Sequence, residues 1–233
     1  MDAFSFDLVA AGAAIALTHT VLGPDHTIPF VMLAQARAWT RRRALAVTLL
    51  CGVGHVGSSV LLGMLGLALG YGVGHITSWE TARGDIAAWA LVAFGAAYAL
   101  WGIRHAVRAR AGIVPHVHHG HVHLHTHGHD VHEHQGVDRS RTTFWALFTV
   151  FVLGPCEPLI PLFVLPASRG RWATAGLTAV VFGIVTIATM VVVVNLALAG
   201  VRRLPLAAFE RWSHALAGGV IASSGLAVIL LGL

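Results

Sequence analysis

The side chains best suited to chemistry are two histidines and an aspartate that interrupt an apolar stretch near the N-terminus. His19, Asp25 and His26 lie in the segment HTVLGPDHTIPF, residues 19–30. The two histidines are about two helical turns apart, so they would share one face of a continuous helix. Imidazole and carboxylate groups together suit a borderline transition-metal ion better than Mg²⁺ or Ca²⁺. The segment therefore predicts a metal site that contains all three residues.

A third histidine, His55, lies in the next apolar stretch, within CGVGHVGSSV, residues 51–60. The glycines around it permit close packing against another helix. We predict His55 as a further metal ligand, with a packed, hydrogen-bonded core histidine as the alternative. The letters GVGHVG also match a dinucleotide fingerprint, but no strand–turn–helix context surrounds them, so no nucleotide is predicted to bind.

The second half of the chain holds a counterpart of the first segment. VLGPCEPLIP, residues 152–161, repeats the Gly-Pro pair and follows it with Cys156 and Glu157. These two side chains are candidate metal ligands or proton carriers. The alternative is a small packed thiol and a carboxylate stabilised at a helix N-terminus.

The loop between the two halves is rich in histidine and poor in residues that could form a core. Such a tract predicts flexible, multidentate capture of metal ions. Its ten histidines, all within residues 116–134, are His116, His118, His119, His121, His123, His125, His127, His129, His132 and His134.

The composition indicates a membrane protein. Of the 233 residues, 56% are hydrophobic and 11% are charged, whereas about a quarter of a soluble domain is charged. Six apolar stretches are long enough to cross a bilayer, and they cover residues 6–36, 44–71, 86–106, 143–166, 172–200 and 212–233. The predicted fold class is therefore an all-α, polytopic integral membrane protein with six transmembrane helices in contact with lipid.

An internal repeat relates the two halves. Gly23–Pro24 matches Gly154–Pro155, and Gly95 matches Gly225 at nearly the same offset. Two repeats of three spans each must have opposite orientations, with the functional site at the interrupted helices. We predict a first repeat over 1–108, a His-rich loop over 109–142 and a second repeat over 143–233. Each proline also frees a backbone carbonyl one turn earlier, which then needs another partner.

The arginines predict the orientation. The net charge of +5 comes from fifteen arginines and no lysine, and most arginines lie on one predicted side. The positive-inside rule then places the His-rich loop in the cytoplasm and both termini outside, in a plasma (inner) membrane. The acidic N-terminus does not resemble a cleaved signal peptide. The basic balance reflects topology, so no nucleic-acid partner is predicted.

HTVLGPDH and GHVGSS, residues 19–26 and 54–59, resemble the signatures of the nickel/cobalt transporter family. That family includes an efflux branch and urease-accessory-like relatives within a wider superfamily of membrane transporters. The resemblance implies transport of divalent nickel or cobalt as cargo, through a site at the broken first and fourth helices. It implies neither catalysis nor a bound cofactor, and it leaves the direction of transport and homo-oligomerisation open.

Two other functions compete with metal transport. LGPCEPLIP resembles the Pro-Cys break of the thiol–disulfide electron carriers of cytochrome c biogenesis, which share a three-plus-three plan. Thiol exchange needs two cysteines that can meet, but Asp25 replaces the first-repeat equivalent of Cys156, and Cys51 lies on the next span. An exporter of sulfite or another anion would use the positive ends of the broken helices, where Asp25 and Glu157 oppose it.

Overall fold

The described part of the chain is a bundle of α-helices with one two-stranded ribbon between its halves. A computed structural model describes residues 2–110, 114–118, 121–125, 139–154, 156–201 and 211–231. The helices are α1 (Ala3–Leu22), α2 (Ile28–Ala36), α3 (Arg41–Ala68), α4 (Val73–Arg110), α5 (Arg139–Leu153), α6 (Leu159–Ser168), α7 (Trp172–Val201) and α8 (Ser213–Leu231). The ribbon consists of β1 (Val114–His118) and β2 (His121–His125), which pair antiparallel.

Several helices have the length and composition of membrane spans. Five in the described residues qualify, and they are Ala3–Leu22, Arg41–Ala68, Val73–Arg108, Trp172–Val201 and Ser213–Leu231. Large apolar side chains such as Leu61, Ile184 and Leu196 point outward on these helices and are mostly exposed, as expected of a lipid-facing surface. The prediction of a polytopic helical membrane protein is confirmed.

Two of the predicted apolar stretches are interrupted, as their Gly-Pro pairs predicted. The stretch over 6–36 is divided between α1 and α2, and the stretch over 143–166 is divided between α5 and α6. The third stretch differs from its prediction, because α4 begins at Val73 rather than at residue 86. Charged residues in the first turns of α4 lowered its apparent hydropathy, although one of them, Glu80, is fully buried.

The first helix break follows directly from local sequence. Asp2 caps α1 by accepting a hydrogen bond from the Ser5 backbone N–H at 3.0 Å. The helix ends at Leu22 because Pro24 has no N–H to continue the ladder. One turn of 3-10 helix, Pro24–His26, carries the chain into α2. The break therefore holds Asp25 and His26 in a short turn between two helices.

The second break also separates two helices by a few residues. α5 ends at Leu153, and α6 begins at Leu159. Cys156 and Glu157 lie between them, and the N–H of Leu159 donates to the carbonyl of Cys156 at 2.9 Å. Both breaks thus place ionisable side chains between two helices.

Two apolar clusters hold the helices that follow the breaks. The first contains α2 residues such as Phe30 and Leu33, together with Cys51, Phe151 and Met190. The second cluster includes Cys156 and four large side chains, which are Ile76, Ile160, Phe163 and Phe182. Each break is therefore anchored on its C-terminal side by a buried helix, which limits how far its polar residues can move.

Close contact between α4 and α8 depends on glycine. A β-carbon at Gly95 would overlap the backbone of Ala222, and one at Gly218 would overlap the backbone of Ala99. Small residues let two helix backbones approach in a membrane, where packing replaces the hydrophobic effect. This contact forms one wall beside the broken helices.

Candidate functional site at two helix breaks

Three histidines from separate elements meet at the first break. His19 comes from the last turn of α1, His26 from the 3-10 turn, and His55 from the middle of α3. One ring nitrogen from each lies within 4.8 Å of the others. The ring centroids of His19 and His26 are 4.8 Å apart, those of His26 and His55 are 5.1 Å apart, and both pairs are edge-on. The structure therefore gathers the three predicted imidazoles into one cluster.

Two of these imidazoles have a partner on the nitrogen that points away from the cluster. Nδ1 of His26 lies 2.9 Å from Oδ1 of Asp25. Nδ1 of His55 lies 3.4 Å from the carbonyl oxygen of Phe151, a longer contact. That carbonyl is the one that Pro155 was predicted to free, so the imidazole of His55 supplies the replacement donor. Asp25 thus stands behind His26 rather than beside the three ring nitrogens.

One ring nitrogen of each histidine lacks a protein partner among the described residues. Nε2 of His19, of His26 and of His55 are all buried, and none has a hydrogen-bond partner among the described residues. His26 and His55 are almost completely buried as whole residues. An imidazole needs a partner at each ring nitrogen in either protonation state, as donor or as acceptor. The cluster is therefore incomplete without a further group.

A cavity of about 360 Å³ opens beside the cluster. Its wall includes all three histidines, with Asp25 on the same side. Across the cavity, the second break contributes Gly154 and Glu157, and α4 contributes small residues. Residues of both breaks thus line one cavity, and their side chains can act on what enters it.

The second break is held by a buried ion pair from α4. Arg83 lies 2.7 Å from Oε1 of Glu80, and it also donates to Oγ of Ser59 at 2.7 Å and to the carbonyl of Gly154 at 3.2 Å. Ser59 donates to Glu80 as well. The backbone N–H of Cys156 is 3.1 Å from both Oγ of Ser59 and Oε1 of Glu80. The network therefore caps the break's free backbone groups.

Sequence reasoning missed this network. It assigned no role to Glu80 and Arg83, whose charge lowers the hydropathy of the early part of α4. Their spacing of three residues was the available signal, since an acid and a base three apart lie on one helix face. Ser59, in the same segment as His55, binds both charged residues.

The predicted residues at the second break do not join the histidine cluster. Cys156 is buried in the second apolar cluster, and its backbone rather than its thiol contacts the polar network. Glu157 lines the cavity but is exposed. Neither belongs to the group of potential ligand atoms that includes His19, His26 and His55.

The loop histidines are described only in part. His116 and His118 lie in β1, and the backbone of each pairs with a histidine of β2, namely His123 and His121. His125 ends β2. The other five predicted loop residues lie outside the described residues, and they are His119, His127, His129, His132 and His134.

The fold and site define a class, which is a polytopic helical membrane protein with ionisable residues at two helix breaks. The model of the cytochrome c biogenesis protein transmembrane region family matches residues 25–232. The match covers the second break, Asp25 and His26 of the first break, and most of the chain, so the protein belongs to this family. No curated protein and no solved structure matches the chain.

The family match corrects the prediction from motifs. The assignment to the nickel/cobalt transporter family is wrong, and so are the nickel and cobalt transport and the efflux that it implied. Two short motifs carried that resemblance, and the first departed from its pattern by one residue between His19 and Asp25. The matched family instead supports the thiol–disulfide alternative that the Pro-Cys break suggested.

Proposed function

We propose that the protein carries reducing equivalents through the membrane by thiol–disulfide exchange, as part of cytochrome c biogenesis. The observation that supports this proposal is the family match over residues 25–232, which includes the break that contains Cys156. The second observation is that both cysteines of the chain, Cys51 and Cys156, are free and buried.

The exchange can be written with electrons and protons in balance. A dithiol donor on one side reduces a Cys51–Cys156 disulfide, giving two electrons and two protons and becoming a disulfide itself. The resulting pair of thiols then reduces a disulfide acceptor on the other side with the same two electrons and protons. Each half-reaction proceeds through a mixed disulfide formed by an attacking thiolate.

The proposal requires movement at the second break. Cys51 precedes Ser59 by eight residues on α3, a rise of about 12 Å along the helix. Cys156 lies at the level of Ser59, since its N–H is 3.1 Å from Oγ of that serine. A disulfide needs α-carbons within about 7 Å, and both thiols are inaccessible in this conformation. Oxidation must therefore be accompanied by displacement of the segment around Cys156 relative to α3.

The same proposal includes a finer topology than the five qualifying helices. We propose six spans in two inverted three-helix repeats, with α1 and α2 forming the first span and α5 and α6 the fourth. Both termini lie outside, and residues 109–142 lie in the cytoplasm of a cell whose plasma (inner) membrane holds the protein. The arginine distribution supports this orientation. Gly128→Cys, made in a cysteine-free background, should react with a membrane-impermeant maleimide only after the cells are opened.

The thiol function is tested by complementation. The protein should restore c-type cytochromes, measured by haem staining, in a host that lacks its own membrane thiol carrier. Cys51→Ser, Cys156→Ser and the double variant should each abolish restoration at equal protein levels in the membrane. Ser58→Ala, a change at a residue outside the Cys156 network, is the matched control and should restore fully. Full restoration by the double cysteine variant would overturn the thiol mechanism, as would failure of the unmodified chain.

The oxidation state of the two cysteines can be measured directly by quenching the membranes with acid and alkylating the free thiols. Oxidation of membranes with diamide should convert both cysteines to a form that no longer reacts, with the mobility of an internal disulfide. A dithiol should reverse the change. Persistent alkylation of both thiols after oxidation would contradict a Cys51–Cys156 disulfide.

A further inference from the structure

We propose that His19, His26 and His55 form a three-imidazole site that holds one resident transition-metal ion of the zinc and copper class inside the membrane. This goes beyond the thiol function and needs neither cysteine. The proposal rests on two observations: the Nε2 atoms of the three histidines are buried with no hydrogen-bond partner among the described residues, and one ring nitrogen of each histidine lies within 4.8 Å of the others.

The ring nitrogens are arranged as metal-binding histidines are. A ligating imidazole usually donates its second ring N–H to a carboxylate or a backbone carbonyl, which fixes the tautomer and turns the free nitrogen toward the ion. Asp25 provides that contact for His26 at 2.9 Å. The carbonyl of Phe151 provides it for His55 at 3.4 Å. Both contacts leave Nε2 as the free nitrogen.

A cluster of ordinary hydrogen-bonded core histidines would not leave these Nε2 atoms without partners. In such a cluster one imidazole would donate to the next, or a serine or carbonyl would bind the remaining nitrogen. Here all three Nε2 atoms lack such a partner among the described residues. Their closest ring neighbours are one another, at 4.8 Å and 5.1 Å between centroids. A cation bound to the three nitrogens would satisfy all of them together.

The spacing suits a four-coordinate ion after a small adjustment. With metal–nitrogen distances of about 2.0–2.1 Å, the nitrogens of a tetrahedral site are about 3.3 Å apart. The present spacing of up to 4.8 Å closes to that value by rotation of the rings. Three protein ligands leave a fourth position for water or another small ligand, and all three histidines line the cavity of about 360 Å³.

The chemistry of the ligands selects the class of ion. Neutral imidazoles favour zinc and copper over the oxygen-preferring Mg²⁺ and Ca²⁺. The carboxylates of Asp25 and Glu157 line the same cavity, and their negative charge offsets that of a divalent cation. A cation in the bilayer is costly unless such groups accompany it. Asp25 serves as the charge partner through His26 rather than as a ligand.

Metal content of the purified full-length chain tests the site. All variants are made in a background in which the ten loop histidines are replaced by serine, because the loop would add its own ions. The protein is stripped with a chelator in detergent, equilibrated with ZnCl₂ or with CuSO₄, gel-filtered and measured by elemental analysis. We expect one ion per chain, and each of His19→Ala, His26→Ala and His55→Ala should bind it more than about tenfold more weakly, since loss of an outer-shell partner alone costs about that much.

The controls separate the site from other effects. His75→Ala removes an exposed histidine of α4 and should still bind one ion. The double variant Cys51→Ser, Cys156→Ser should also bind one ion. Loss of the thiol function and loss of the metal site can therefore be told apart. Circular dichroism of the His26→Gln and His55→Gln variants measures their helix content. It shows whether a variant that has lost the metal is still folded. Binding of the ion should raise the melting temperature of the control but not of these variants.

Spectroscopy identifies the ligands. In the copper arm, electron paramagnetic resonance should show coupling to three nitrogens, and to two in His19→Ala. If zinc binds and copper does not, the elemental analysis alone decides the site. The proposal is overturned if neither metal binds the loop-substituted chain, or if folded His26→Gln and His55→Gln variants both retain a full ion.

Discussion

The two helix breaks begin with the same Gly-Pro pair but satisfy their polar groups in opposite ways. At the second break, protein groups bind the free backbone atoms of Gly154 and Cys156 through Arg83 and Glu80. At the first break, Asp25 and a backbone carbonyl orient two imidazoles, and three Nε2 atoms have no partner within the described part of the chain. One break is closed by an ion pair, whereas the other presents ligands.

The difference shows how a repeated fold can separate two tasks. A break that is capped by its own protein is fixed in place and serves as a frame for the cavity. A break with unpaired imidazoles gains stability only when another group binds. Among the residues that the structure describes, Oε2 of Glu80 and Nε of Arg83 have no partner, but the opposite charges of the two side chains compensate each other at 2.7 Å.

The largest effect is expected from opening the second break. Arg83→Ala leaves Glu80 buried without its cation, and it removes the donors to Ser59 and Gly154. Loss of one partner of a buried pair costs about 3 kcal/mol or more in the free energy of unfolding. Reversible unfolding in detergent measures the change. Arg42→Ala, at an exposed arginine, is the control and should lower stability by under about 1 kcal/mol.

An equal loss in the two arginine variants would show that the ion pair does not hold the second break. Arg83→Met with Glu80→Met should lose less than Arg83→Ala, since both charges are then removed together.

The matched glycines compare the breaks directly. A β-carbon at Gly23 would overlap Nδ1 of His26 and lie 2.9 Å from Oδ1 of Asp25, whereas at Gly154 its nearest contact would be 3.3 Å. Gly23→Ala should therefore displace the His26–Asp25 pair and weaken Zn²⁺ binding by roughly tenfold. Gly154→Ala would place its added carbon 3.4 Å from Nδ1 of His55, an ordinary contact distance, so it should weaken binding less than Gly23→Ala does. Titration of the purified proteins with Zn²⁺ measures both, and similar affinities in the two variants would remove the distinction between the breaks.

The free energy of unfolding, measured with and without metal, tests whether the first break is stabilised only when an ion binds. His19→Leu in chelator-treated protein removes an imidazole whose Nε2 has no partner, so it should change the free energy of unfolding by under about 1 kcal/mol. In the presence of Zn²⁺ the same variant should be clearly less stable than the unmodified chain, because it loses the stabilisation that binding provides. A large loss in the metal-free protein would show that His19 has a structural role of its own.

The smallest effect on the metal site at the first break is expected from substitutions in the His-rich loop. Replacing its ten histidines with serine should lower the total metal bound by the purified chain and leave the single tight site unchanged. Protons compete with metal for a neutral imidazole, so loop capture should weaken as the pH falls from 7.5 to 5.5. Binding measured at both pH values tests this. Loss of the tight site in the loop variant would show that the loop contributes ligands to it.

Local sequence was enough to predict the helical membrane class and the place of both breaks. Long apolar stretches require helices in a bilayer, since every backbone group must be paired within the protein. A proline inside such a stretch ends the ladder whatever surrounds it, as Pro24 does after Leu22. The residue types at the breaks likewise marked His19, Asp25, His26 and His55 for attention. The family did not follow from these residues, because short motifs of histidine and glycine recur in unrelated membrane proteins.

The tertiary structure alone decided which of these residues act together. His55 meets His19 and His26 because α3 passes the first break, and its second nitrogen reaches the carbonyl of Phe151 on α5. Glu80 and Arg83 could be recognised as buried only once α4 was placed against the second break. Helix breaks arise from bonds between neighbours in the chain, whereas the pairing of charges and imidazoles depends on how distant helices pack.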